Sequence, residues 1–207
     1  MREPQQPPTG DPIRIAKTAL RDQVGAARKR RSLSEIHEAA DAIADHLMAA
    51  SEIRRAASVA AYVSIGTEPG TGRLIDALLA AGKRVILPVV LPDLDVDWAV
   101  YDGPGSLAPA RMGLLEPTAP RLGVTAVATC DAVLLPGQAV SAEGLRMGRG
   151  GGCYDRVLGR VPVGTFTCVL VYDDEIGRAV PVEPHDRAVT AAVSPRGITR
   201  FPAPARG

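Results

Sequence analysis

The sequence predicts an α/β protein: two N-terminal helices ahead of a single three-layer α/β/α domain with a mostly parallel sheet. Three observations carry that expectation. Segments with apolar residues three and four apart alternate with short runs that are apolar throughout. Those runs lack the polar alternation of a half-exposed sheet, so both faces must be covered by helices. Loops rich in glycine and proline follow the strand ends, at 64–71 and 136–155.

Residues 13–30 read as the first helix, because Ile13, Ala16, Leu20, Val24 and Ala27 recur at helical spacing. Ser32 with Glu35 forms a capping box that opens a second helix through Ala50, with Ile36, Ala39, Ala40, Ile43 and Leu47 on one face. The pattern then changes to a β-rich run at 58–63, a helix at 72–81, and strands at 84–90 and 96–101. Further strands are expected at 131–135, 165–171 and 189–193. Right-handed crossovers make this a Rossmann-like arrangement whose ligands sit beyond the C-terminal ends of the strands. Residues 1–12 and 201–207 are Pro-rich and are expected to be flexible, leaving one domain over 13–200.

Composition narrows the function classes. The 207 residues are 46% hydrophobic and 23% charged, which excludes a disordered chain. Twenty-four basic residues against 23 acidic ones leave a net charge of +1, so no broad polyanion-binding surface is expected. The basic run Arg28-Lys-Arg-Arg31 reads as a helix end complementing its dipole rather than a nucleic-acid contact. Cys130, Cys153 and Cys168 have neither disulfide-framework nor zinc spacing, and a reducing compartment fits them best. With no signal-like apolar run and no membrane-length stretch, the expectation is a cytoplasmic monomer with neither membrane nor nucleic acid as partner.

The segment from Gly144 to Asp155 is the most informative. It holds five glycines at 144, 148, 150, 151 and 152, with Arg146 and Arg149 between them. Glycine lets backbone N–H groups approach an anion, and guanidinium groups add forked donors suited to phosphate. A helix starting near Gly152 would add its N-terminal N–H groups. The pattern lacks the Gly-Lys-Ser/Thr of a Walker loop, and Cys153 stands where a dinucleotide fingerprint needs glycine.

Taken whole, Gly144-x-Arg146-x-Gly148-x-Gly150-x-Gly152-x-Tyr154-Asp155 resembles the signature of the 5-formyltetrahydrofolate cyclo-ligase family. Satellite stretches match it in order: Lys17-x-x-x-Arg21, Glu68-Pro-Gly-Thr71, Gly82-Lys83 with Leu87-Pro88, Gly113-Leu-Leu-Glu116-Pro117, Pro136-Gly137, and Val180-Pro-Val followed by Asp186. The resemblance implies cyclisation of 5-formyltetrahydrofolate to 5,10-methenyltetrahydrofolate, with ATP as co-substrate and Mg²⁺ as cofactor. By matching position, it implies ATP contacts at Lys17, Arg21, Arg146, Gly148, Arg149, Gly150, Gly151, Gly152, Cys153 and Tyr154. Folate contacts are implied at Val63, Glu68, Arg149, Gly150 and Gly152, metal ligands at Asp155 and Asp186, and catalytic roles for Arg146, Arg149 and Tyr154. The chain departs from that pattern at 138–141, which read Gln, Ala, Val, Ser where an apolar residue, Ala, Phe and Asp are usual, and at Cys153, where Tyr is common. The altered 138–141 stretch motivates an alternative, a non-catalytic descendant that binds nucleotide or folate.

Overall fold

Helix α1 (Pro12–Arg28) opens the described part of this computed structural model, residues 11–183 and 186–202. Asp11 caps it by accepting the Ile13 N–H at 3.1 Å, and Pro12 sits in the first turn, where a missing N–H is harmless. Its buried stripe is Lys17, Leu20, Val24 and Arg28, so two cations bracket the two apolar residues. In α2 (Leu33–Ala49) the expected capping box is present: the Glu35 N–H donates to Ser32 Oγ at 3.2 Å, and the Ser32 N–H donates to Glu35 Oε2 at 2.6 Å. A single turn that the periodicity did not separate, α3 (Ser51–Arg55), follows.

The chain then runs through β1 (Ser58–Ala60), α4 (Gly72–Ala80), β2 (Arg84–Val90), β3 (Val96–Val100) and a small hairpin, β4 (Leu107–Pro109) with β5 (Leu115–Pro117). Next come β6 (Ala132–Pro136), the short pair β7 (Ala139–Val140) and β8 (Arg146–Met147), and α5 (Cys153–Arg160). Strands β9 (Phe166–Leu170), β10 (Ala191–Ser194) and β11 (Gly197–Arg200) complete the described chain.

Seven strands form one sheet in the order β11-β10-β9-β6-β1-β2-β3. The five central strands are parallel, and an antiparallel hairpin closes each edge: β3 on β2 and β11 on β10. Side chains alternate between two cores. Val59 and Leu134 face Ile43, Leu47, Leu74 and Leu78 of α2 and α4, whereas Ala60, Val133 and Leu135 face Val157 of α5 together with Trp98 and Val127. Helix α1 lies elsewhere, packing Leu20 and Val24 on Ala139 and Met147 of the β7–β8 pair.

The order of connections creates a crevice. From β1 the chain moves outward to β2 and β3, then returns to β6 on the opposite side of β1. The backbone therefore diverges at the carboxyl ends of β1 and β6, the place where open α/β sheets bind ligands.

The basic run at 28–31 ends α1 as expected, and its first residue does more than complement the helix dipole. Arg28 is only 3% exposed. Its Nε and Nη2 donate to both Glu175 oxygens at 2.7 and 2.8 Å, and Nη2 also donates to the Gly137 carbonyl at 2.7 Å. Glu175 Oε2 accepts the Tyr172 N–H at 2.9 Å, and the Tyr172 hydroxyl donates to the Thr67 carbonyl at 3.2 Å. Arg31 pairs with Asp174 and stacks 4.0 Å from the Tyr172 ring centroid. One buried cluster thus ties α1 to both loops that flank the crevice. At the other end, Phe201, expected in a flexible tail, donates its N–H to Thr190 O at 2.9 Å and packs its ring on the α5-side core. Among the described residues, no helix is long and apolar enough to cross a membrane.

Candidate active site

A cavity of about 420 Å³ opens at the ends of β1 and β6. All the site residues expected from the sequence line it: Lys17 and Arg21 from α1, Val63 and Glu68 from the loop after β1, the stretch Arg146 to Asp155, and Asp186.

The loop after β1 is shaped by reciprocal side-chain bonds. The Ser64 N–H donates to Thr71 Oγ1 at 2.9 Å, the Thr71 N–H returns a bond to Ser64 Oγ at 3.1 Å, and the Thr71 hydroxyl donates to Tyr62 O at 2.7 Å. This closure turns Glu68 inward, where it is 7% exposed and accepts the Ile65 N–H at 3.0 Å. Arg149 Nε stands 3.8 Å from Glu68 Oε1, but Arg149 is exposed and so holds that charge weakly.

Burial pushes the Glu68 carboxyl above its ordinary 4.5, opposed by the Ile65 N–H and the charges of Arg149 and Arg28. A carboxyl raised in this way binds its proton more tightly in the folded chain. Stability therefore falls as pH rises from 4.5 through the folded value, and the loss persists above it. Glu68→Gln keeps an acceptor for the Ile65 N–H and removes the buried charge. At pH 7 it is expected to raise the melting temperature by about 2–4 °C, the shift of roughly 1 kcal/mol in a chain this long. Thermal scans should show the difference closing below about pH 4.5; a variant less stable than the parent at pH 7 would refute the assignment.

The glycine loop follows β8 and ends at α5. Arg21 Nε donates to Gly148 O at 3.0 Å, fastening the loop to α1. A Cβ at Gly148 would lie 2.8 Å from Arg146 Nη1, so the buried guanidinium occupies the space a side chain would need. Gly152 caps α5 at φ +68°, a conformation that favours glycine. The first-turn N–H groups of Cys153, Tyr154 and Asp155 have no intrahelical acceptor, and all three residues line the cavity. Free N–H groups at a helix start with arginines beside it suit an anion chemically.

The charged residues meet in pairs. Lys17 Nζ donates to Glu183 Oε2 at 2.5 Å and to Asp186 Oδ2 at 2.8 Å. Burial works to lower the Lys17 ammonium, yet the bonds to Asp186 and Glu183 outweigh it and hold it above its ordinary value. Arg146 Nη2 donates to Asp155 Oδ1 at 2.6 Å, and the Arg146 side chain is 2% exposed. Each carboxylate expected to hold metal is thus paired with a cation expected to hold phosphate. His185, next to Asp186 in the sequence, lies outside the described residues.

The structure adds residues that carry no expected role. Tyr62 and Gln138 line the floor, and Pro88, Val90 and Val96 form an apolar wall. The β4–β5 hairpin contributes Met112, Leu114 and Leu115 at the rim. Glu116, noticed in the sequence only as part of a motif, accepts the Val90 N–H at 2.9 Å and so docks that hairpin on β2.

Known proteins resemble this chain in sequence and fold. The model of the 5-formyltetrahydrofolate cyclo-ligase family matches residues 14–195. The chain is 42% identical over 147 residues to a 5-formyltetrahydrofolate cyclo-ligase of Mycolicibacterium smegmatis, covering 68% of this chain and 75% of the relative. It is 30% identical over 181 residues to the Escherichia coli protein of the same name, covering 83% of this chain and 97% of that one. The solution structure of Aquifex aeolicus 5,10-methenyltetrahydrofolate synthetase superimposes with a TM-score of 0.78 at 26% identity, over 92% of this chain and 94% of that one. The matched region takes in α1, the Glu68 loop, the glycine loop and Asp186, and on that ground the chain belongs to the 5-formyltetrahydrofolate cyclo-ligase family.

Proposed function

We propose that the protein cyclises 5-formyltetrahydrofolate to 5,10-methenyltetrahydrofolate and converts ATP to ADP and phosphate. The observation that carries this reading is one cavity combining a buried carboxylate, Glu68, with an arginine- and glycine-lined helix start. The first suits the amino-pyrimidine edge of a pterin; the second suits a polyphosphate.

The chemistry asks for both at once. A formamide oxygen leaves poorly, so the γ-phosphoryl group of ATP is first transferred to it, and ADP departs. N10 then attacks the activated formyl carbon, the C–O bond breaks, phosphate leaves with its oxygen, and N10 gives up its proton. Positioning and charge stabilisation carry such a transfer. Arg146 and Arg149 bear on the transferred phosphoryl, while Lys17, Arg21 and the backbone from Gly148 to Tyr154 hold the rest of the nucleotide. Glu68 and Val63 set the folate ring, and Tyr154 stands between the two substrates. The apolar wall at Val90, Val96 and Leu114 keeps water from the activated formyl group.

Mg²⁺ is part of the same reading. Among the described residues no three-ligand cluster of His, Cys, Asp or Glu occurs. Asp155 and Asp186 nevertheless fit this ion, which takes one or two carboxylates and completes its shell with water and substrate phosphates. Bound there, it would neutralise phosphate charge. A monomer in a reducing cytoplasm belongs to this reading too, supported by three free cysteines, two of them buried.

The non-catalytic alternative rested on residues 138–141. Val140 is fully buried, and Ser141 Oγ accepts the Glu143 and Leu145 N–H groups at 3.2 Å each. The altered stretch therefore keeps its turn and its packing. Purified protein given 5-formyltetrahydrofolate and Mg-ATP is expected to form methenyl chromophore and ADP in equal amounts. ADP without chromophore would point to another acceptor, and binding of both substrates without turnover would favour the non-catalytic reading.

A further inference from the structure

Among the described residues, three buried side-chain atoms without a hydrogen-bond partner belong to residues that line this one cavity: Tyr62 Oη, Gln138 Oε1 and Arg146 Nε. A buried polar atom left unpaired has given up its bonds to water for nothing, so such atoms are rare. Arg146 belongs to the phosphate side. The other two belong to residues just beyond β1 and β6, at the crevice where the connections diverge.

Both are held rigidly. Tyr62 is 2% exposed, with its ring packed in the core among Cys168 and Leu170. Burial, followed by the charge of Glu68, pushes its phenol well above 10, so it stays a neutral O–H group at working pH. The Gln138 N–H donates to Met147 O at 2.7 Å, which fixes that residue at the cavity floor. Glu68, with Arg149 Nε 3.8 Å from its Oε1, completes a set of one hydroxyl donor and two acceptors at the strand ends.

We propose that Tyr62 and Gln138 are specificity-determining contacts to the folate ring: Tyr62 donates to its carbonyl oxygen, and Gln138 accepts one of its ring N–H groups. A reduced pteridinone ring carries several N–H donors and one carbonyl, the complement of this set. The inference rests on the function proposed above and adds two residues to it.

The test is steady-state kinetics and thermal unfolding of Tyr62→Phe and Gln138→Leu. Each variant is expected to raise KM for 5-formyltetrahydrofolate roughly tenfold, because each removes one bond to the ring. KM for ATP should stay within about twofold, and the melting temperature of Tyr62→Phe should not fall, since its hydroxyl bonds no protein group. An unchanged folate KM beside an active parent would overturn the assignment and leave the proposed function standing. A rise in ATP KM instead, or a lower melting temperature with both KM values raised, would also overturn it. A parent protein that neither binds nor converts 5-formyltetrahydrofolate would remove both readings.

Discussion

Arg28→Met is expected to lower the unfolding free energy by about 3–5 kcal/mol, the cost of stranding one member of a buried ion pair. For a chain this long, the melting temperature should drop on the order of 10 °C. Methionine fills most of the side-chain volume, so lost charge and hydrogen bonding dominate over a cavity. Glu175 would keep only the Tyr172 N–H as partner, and the Gly137 carbonyl would lose the guanidinium that serves it. Arg28→Lys should fall between the two, because a single ammonium cannot reach two carboxylate oxygens and a carbonyl in the fork geometry of arginine. Denaturant titration with an unchanged slope would attribute the loss to the native state. A loss below about 1 kcal/mol would mean the cluster behaves as a solvated surface pair, contrary to its burial. Because the same cluster reaches Gly137 and Thr67, KM for both substrates should rise, unlike the one-sided effect expected at Tyr62.

The layout of the sheet was legible because its strands are buried on both faces. Val133, Leu134 and Leu135 need no partner to announce themselves as apolar, and their continuity alone implies helices above and below. The pairs β4–β5 and β7–β8 left no such trace. Strands of two and three residues are held by what they dock on, as Glu116 docks β5 on β2, and no short-range pattern encodes that. Helix α1 shows a subtler limit. Periodicity found Leu20 and Val24 but not Lys17 and Arg28, although both occupy the same buried stripe. Their partners, Glu183, Asp186 and Glu175, lie more than a hundred residues away, where spacing carries no information. The glycine loop was legible for the opposite reason: its chemistry is local, with cations, small residues and a helix start within one segment. Gln138 stood out only as a departure from the family pattern, and Tyr62 not at all. A tyrosine in an apolar strand reads as core, and only the fold shows its hydroxyl unpaired in a residue lining the cavity.

Asp155→Asn is expected to reduce turnover by on the order of 10²–10³, the range seen when a charge-stabilising group of a transition state is removed. Two effects combine here and can be separated. The carboxylate is one of the two proposed to hold Mg²⁺, and it is also the partner that neutralises Arg146. Burial pulls the Arg146 guanidinium down and Asp155 pulls it back up, so the asparagine variant leaves a charged, buried guanidinium facing a neutral amide. Stability should therefore fall together with activity, and low activity alone would not prove a chemical role. The double variant Arg146→Met with Asp155→Leu removes both charges. Replacing a buried pair by apolar residues of similar volume is often neutral, so its unfolding free energy should return to within about 1 kcal/mol of the parent. Its turnover should stay absent, and Mg-ATP should no longer raise its melting temperature as a bound ligand raises that of the parent. Restored stability without restored turnover assigns the pair to the chemistry rather than to the scaffold. Turnover in Asp155→Asn within about threefold of the parent, smaller than the loss of even one such group, would overturn that assignment.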